Sequence, residues 1–190
     1  MALEPASAEP LNALGSLKAS EGKNAEAEKF YKSALEKNPD LLPARHNLAL
    51  LLSTSKDRQA EAIDLWKRNL AAKPDFLPSR IALAELLVTR GDSAGAIEQY
   101  RLVVGSRPEY IAARVALAAQ LVKAKQPEAA LDQLQAAVKL DAQNASLYEQ
   151  IGDVDRTLNR ANEARDAYAA AIKLEAEKSD RKRLQTKMAY

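Results

Sequence analysis

Along this chain a small apolar residue repeatedly precedes a large one by four positions, a spacing that places both on one helical face. Ala27 precedes Tyr31, Ala62 precedes Trp66, Ala96 precedes Tyr100, Ala130 precedes Leu134 and Ala164 precedes Tyr168. Ahead of each segment lies a second pattern, a large residue directly before a small one: Leu14-Gly15, Leu48-Ala49, Leu83-Ala84, Leu117-Ala118 and Ile151-Gly152. Each set predicts two helices. Pro39, Pro74 and Pro108 close the first three sets at spacings of 35 and 34, and each is followed by an acid.

Laid in register, the pattern gives five units, 8–41, 42–76, 77–110, 111–144 and 145–178, with one extra residue in the Ser53–Gln59 turn. Small residues where two helices cross allow close approach, and the large residue four positions on fills the space beside them. Gly22 and Gly91 fall between the helices of a unit, where a left-handed residue ends a helix. Pro127, at the equivalent turn, suits the start of a second helix. One unit cannot bury its apolar face alone, so the units are expected to stack. Residues 179–190 place Leu184 and Met188 four apart among charges, which predicts a capping helix over the last unit.

Five units in register resemble the tetratricopeptide repeat family over residues 8–178. Unit one carries Leu11, Leu14, Gly15, Ala27, Tyr31, Ala34 and Pro39 at the family's positions. Departures are Ala142 and Ala176 where a closing proline is usual, and Asn69 and Val103 where a second small residue is usual. The resemblance implies an all-α fold: a right-handed α-solenoid of five helix-turn-helix repeats plus a C-terminal capping helix. It also implies a concave face drawn from first-helix positions. These are Asn12 and Ser16 in unit one; His46, Leu50, Ser53 and Thr54 in unit two; and Ile81, Glu85, Val88 and Thr89 in unit three. Unit four gives Val115, Ala119, Val122 and Lys123, and unit five gives Glu149, Asp153, Arg156 and Thr157. Some family members clamp a chaperone's terminal carboxylate with Lys and Asn. Asn12 and Asn47 fit two such positions, but Pro78 and Ala82 stand at others, so that reading is disfavoured.

Composition narrows the chemistry. Apolar residues make up 47% of the 190, so a core is expected rather than disorder. Charge is balanced at +2, whereas a nucleic-acid partner would call for a basic stripe. There is no cysteine and one histidine, His46, so thiolate chemistry and multi-histidine metal sites within the chain are not expected. No stretch approaches the ~20 apolar residues needed to span a bilayer. Met1–Pro5 carries an acid early and does not read as a signal peptide. The cytoplasm is the first expectation for compartment, the periplasm the second if the chain is a fragment. The Ala-rich repeats have a bacterial look.

Most conspicuous residues have a packing explanation. Tyr31, Trp66, Tyr100 and Tyr168 share one repeat position and are read as core, and Tyr148 likewise. Arg45, Arg80 and Arg114 share another, each five residues after Asp40, Asp75 or Glu109; where the acid is Gln143, the arginine is Tyr148. A guanidinium ladder would bind acidic ligands, but this pairing of acid with arginine favours a local salt bridge or hydrogen bond across the turn between repeats.

The candidate partner surface is therefore His46, Leu50, Ile81, Glu85, Val88, Val115, Ala119, Val122 and Arg156, apolar in its middle. Burying five such side chains would contribute on the order of 5–10 kcal/mol before ordering costs. No catalytic residues, metal or cofactor are expected. The function expected is a protein-interaction scaffold holding a partner's peptide or helix. The alternatives are self-assembly into a homo-oligomer, or recognition of partners within a larger enzyme or secretion complex.

Overall fold

The structure, a computed structural model, describes residues 7–175 and 177–189. Residues 1–6, which include Met1–Pro5, together with Ala176 and Tyr190 lie outside the described residues. Among the described residues there are eleven α-helices and no strand. They are α1 (Ala8–Ser20), α2 (Asn24–Lys37), α3 (Leu42–Ser53), α4 (Gln59–Ala72), α5 (Leu77–Thr89), α6 (Ser93–Ser106), α7 (Ile111–Lys123), α8 (Pro127–Leu140), α9 (Ala145–Thr157), α10 (Ala161–Leu174) and α11 (Lys178–Ala189). The extra residue ahead of α4 is absorbed in a 3₁₀ turn, Lys56–Arg58. The chain divides into two compact units, residues 1–86 and 87–190, with the boundary inside α5.

Local chemistry explains where the helices stop. Proline disfavours the helical region for the residue before it. Asn38, Lys73 and Arg107, before Pro39, Pro74 and Pro108, have φ of −139°, −142° and −137°. Asp141 precedes Ala142 and still takes φ −143°, ψ 87°, so the turn survives loss of its proline. Pro127 opens α8, where its missing N–H would be unpaired anyway. Within the helical hairpins, Gly22 and Gly91 have φ of +75° and +78°. Lys125 and Asn159, at the same repeat position, also adopt left-handed backbone, each at φ 58°. Lysine pays a steric penalty there that glycine does not.

In the first unit the core is Ala27, Tyr31, Leu48, Leu52, Ala62 and Trp66, all nearly inaccessible to solvent. Gly15 is required by close approach: a Cβ there would lie 2.5 Å from the Tyr31 ring. In the second unit, Leu117, Leu121, Leu134, Leu147 and Tyr168 are buried. A Cβ at Gly152 would meet the Tyr168 ring at 2.6 Å. Leu184 of α11 joins Ala164, Tyr168 and Ala171 in a buried cluster, with Met188 packed at its edge. The opposite side of α11 is polar: Lys178, Arg181, Lys182 and Gln185 are exposed.

One buried group works against this unit. Asp155 stands at the repeat position occupied by Leu52, Leu87 and Leu121, is buried, and leaves Oδ1 without a hydrogen-bond partner. Burial raises its carboxyl above the ordinary 3.8, opposed by Arg160 and reinforced by Glu163. The Arg160 guanidinium is 3.9 Å away, too far for a good pair. A raised folded-state value means the native chain holds the proton more tightly, so stability falls as pH rises from about 3.8 and stays reduced at neutrality. Asp155→Leu is therefore expected to gain about 1–3 kcal/mol at pH 7, with the gain shrinking toward pH 4. Urea unfolding at the two pH values measures it; a loss, or a gain independent of pH, would refute this reading of Asp155.

Candidate functional site

The inter-repeat arginines resolve into one geometry. Arg45 Nη2 donates to the Pro39 carbonyl. Arg80 Nη2 donates to Pro74 O at 2.5 Å and Arg114 Nε to Pro108 O at 2.8 Å. Each bond reaches back six residues, onto the carbonyl of the closing turn. Tyr148 Oη makes the same bond to Ala142 O, at 3.3 Å, and Arg181 Nε to Glu175 O, at 2.5 Å. The acid five residues earlier plays a smaller part: Asp40 is almost fully exposed, 3.8 Å from Arg45. Arginine and tyrosine interchange at this position because both place a donor over the same carbonyl. These guanidinium groups have further partners inside the chain, Asn69 for Arg45 and Gln133 for Arg114.

In the first unit, His46 is half-buried rather than displayed. Its ring lies 6.5 Å from Trp66 and 6.0 Å from Phe76, centroid to centroid. Its Nδ1 is 3.3 Å from Ser79 Oγ. Burial pushes the imidazole below its ordinary 6.5, so the ring is neutral at pH 7. Ser79 leads to fully buried Asn69, whose Nδ2 donates to Ser79 Oγ and to Leu42 O and whose Oδ1 accepts from Arg45. His46 is thus the outer end of a polar network through the packing of α3, α4 and α5. Leu50 and Glu85 are exposed and Ile81 is half-buried.

The second unit holds the remaining candidates. Val88, Val115 and Val122 are half-exposed on first helices and Ala119 is exposed. Between α7 and α9 these helices leave a concavity of about 330 Å³. Buried Ala118, Leu134 and Val154, half-buried Val122 and exposed Ala119 line it. The polar residues of its lining are Lys123, Gln150, Asp153 and Thr157. Ala119 and Val122 are brought together here, whereas Arg156 is not: it lines a separate concavity with Arg165, Tyr168 and Met188.

The polar end of α9 is occupied. Glu149 receives Arg183, bidentate, and Lys187; Asp153 receives Lys187 at 2.7 Å and the Tyr168 hydroxyl at 2.7 Å. Arg183 and then Lys187 hold the Glu149 carboxyl below the usual range. The carboxylates of Glu149 and Asp153 are therefore neutralised by α11.

The tetratricopeptide repeat-like domain family matches residues 56–189, more than half of the chain, and the tetratricopeptide repeat matches residues 8–41. The chain belongs to the tetratricopeptide repeat family. No curated protein matches its sequence. Solved structures do match its fold. A crystal structure of MamA is 16% identical over 91% of this chain and 94% of its own, with a TM-score of 0.80. YrrB, described as a tetratricopeptide repeat protein with an unusual peptide-binding site, is 19% identical over 95% of this chain and 92% of its own, with a TM-score of 0.78. A MamA fragment from Desulfovibrio magneticus RS-1 is 17% identical over 88% of this chain and 94% of its own, with a TM-score of 0.76. At these identities the likeness establishes the fold, an all-helical repeat of the α-solenoid class. Tetratricopeptide repeat proteins are generally interaction scaffolds without catalysis.

Proposed function

We propose that this chain holds a segment of a partner protein against the first-helix face of residues 87–190, and that it has no catalytic role of its own. The observation that carries the reading is the strip of Val88, Val115, Ala119 and Val122, left partly or wholly open to solvent beside an apolar concavity. Apolar surface that stacking leaves unburied suits a peptide in extended or helical form. The peptide-binding site described for YrrB supports the same reading by analogy of fold. The inter-repeat arginines support a scaffold role, since their donors are spent on the chain's own carbonyls. Family membership and fold support a protein partner.

A displayed random-peptide library tests this. Peptides selected on the purified chain are expected to lose at least roughly tenfold in affinity for Val115→Glu and Val122→Glu, because each places a carboxylate in an apolar contact. Circular dichroism verifies that the helices are intact. Unchanged affinity in both folded variants would remove the strip from the binding surface.

A further inference from the structure

The concavity between α7 and α9 has a specific origin. At one repeat position the chain carries Tyr31, Trp66, Tyr100 and Tyr168, and in the fourth helical pair it carries Leu134. In the first and fifth pairs a tyrosine is present and its ring packs directly against the glycine of the first helix. Ring atoms come within 2.5 Å and 2.6 Å of where a Cβ on Gly15 or Gly152 would stand. The hydroxyl then reaches a polar side chain on the first-helix face: Tyr31 Oη to Ser16 at 3.4 Å, Tyr168 Oη to Asp153 at 2.7 Å. In the fourth pair the residues equivalent to those glycines and acceptors are Ala118 and Ala119. Leu134 is buried and too short to extend across them. Both alanines and Leu134 line the concavity, so it opens where the ring of the other pairs would lie. An alanine opposite does not by itself exclude a ring, since the second pair carries Ala49 and buried Trp66 at these positions.

We infer that this slot receives the aromatic ring of a phenylalanine from a partner peptide, flanked in that peptide by an acidic residue. The inference rests on the peptide-holding reading above and names what the peptide must supply. The volume, about 330 Å³, lies at the small end of ligand sites and suits one large side chain with its flanks. A phenylalanine ring offers more apolar area than a branched aliphatic side chain to the Ala119, Val122 and Val154 side chains of this lining. The absence of a hydroxyl acceptor at Ala119 favours phenylalanine over tyrosine. Charge selects the flank. Asp153, in the lining, is already bonded to Lys187 and Tyr168. Lys123 is exposed and has no ion-pair partner among the described residues. The unanswered charge beside the slot is therefore positive.

The probes are three short peptides, acetyl-Glu-Phe-Glu-amide, acetyl-Glu-Leu-Glu-amide and acetyl-Lys-Phe-Lys-amide, titrated into the full chain with methyl NMR detection. The first is expected to shift the methyls of Ala118, Ala119, Val122 and Val154, and to bind at least about fivefold more tightly than either of the others. Leu134→Phe fills the slot from within and is expected to weaken that peptide at least about tenfold. Lys123→Glu, at an exposed site that leaves the fold intact, is expected to reverse the preference between Glu and Lys flanks. Equal binding of the Phe and Leu peptides would overturn the inference. So would an unaltered flank preference in Lys123→Glu. So would concentration-dependent shifts of these methyls without peptide, which would assign the slot to a second copy of the chain. If library-selected peptides still depend on Val122 while the Phe preference is absent, the slot inference fails and the groove reading stands. If no peptide depends on Val115 or Val122, both fail.

Discussion

Replacing Asn69 with leucine is expected to destabilise the first unit by about 2–4 kcal/mol. The two side chains are similar in size, so the loss is not one of volume. Asn69 is fully buried and uses its whole amide: Nδ2 to Leu42 O at 3.0 Å and to Ser79 Oγ at 2.9 Å, and Oδ1 from Arg45 Nη1 at 2.9 Å. Leucine deprives all three partners at once, and an unsatisfied buried group costs more than a formed hydrogen bond contributes. Trp66 is the only tryptophan and lies in this unit, so its fluorescence under urea reads the change directly. The other repeats carry Ala34, Val103, Ala137 and Ala171 at this position, so the fold itself does not require an amide there. Asn69→Leu combined with Ser79→Ala should then recover about 1 kcal/mol or more, because the buried hydroxyl leaves with its partner. A double variant whose cost equals the sum of the singles would show that the two side chains do not act as a network.

The second large effect belongs to α11. Leu184 is nearly inaccessible among Ala164, Tyr168 and Ala171, and Leu184→Ala is expected to cost about 2–4 kcal/mol. The ion pairs of Arg183 and Lys187 with Glu149 and Asp153 are partly exposed, so they orient the helix more than they hold it. Loss of the leucine should therefore be felt locally. Amides of α11 should exchange much faster, those of α7 and α8 should keep their protection, and Trp66 fluorescence should not move. Release of α11 would also uncover Glu149 and Asp153 on α9. Unchanged protection of α11 would mean that its docking does not depend on Leu184.

Repeating side-chain patterns and turn residues could be read from the sequence, whereas bonds to backbone carbonyls and contacts between distant repeats could not. Small-then-large spacing within each helical pair is a side-chain property, so Tyr31, Trp66, Tyr100 and Tyr168 were identifiable as core. The joint presence of Asp40 with Arg45 and of Asp75 with Arg80 pointed to a local bond across the turn. The main acceptor, however, is a peptide carbonyl, which every residue carries and which leaves no signal. Tyr148, read as core, does pack at the edge of the Leu184 cluster; the bond its hydroxyl makes to the Ala142 carbonyl left no signal in the sequence. His46 read as a groove contact because its helix position is right; its packing against Trp66 and Phe76 comes from neighbours distant in sequence. Lys125 takes left-handed backbone, and only its register with Gly22 and Gly91 marks the turn. Leu134 read as one more large residue, although the difference between leucine and tyrosine at that position is what opens the concavity.

Where a partner peptide sits decides whether this chain is a scaffold of the kind proposed. A rival surface exists in the same unit: Leu102 and Leu140, on second helices, are each 47% exposed. Methyl NMR of the chain with a library-selected peptide compares the two surfaces in one spectrum. Shifts concentrated on Val88, Val115, Ala119 and Val122, with Leu102 and Leu140 still, are the expected result. Shifts confined to Leu102 and Leu140 would place the partner on the second helices and contradict a first-helix binding face.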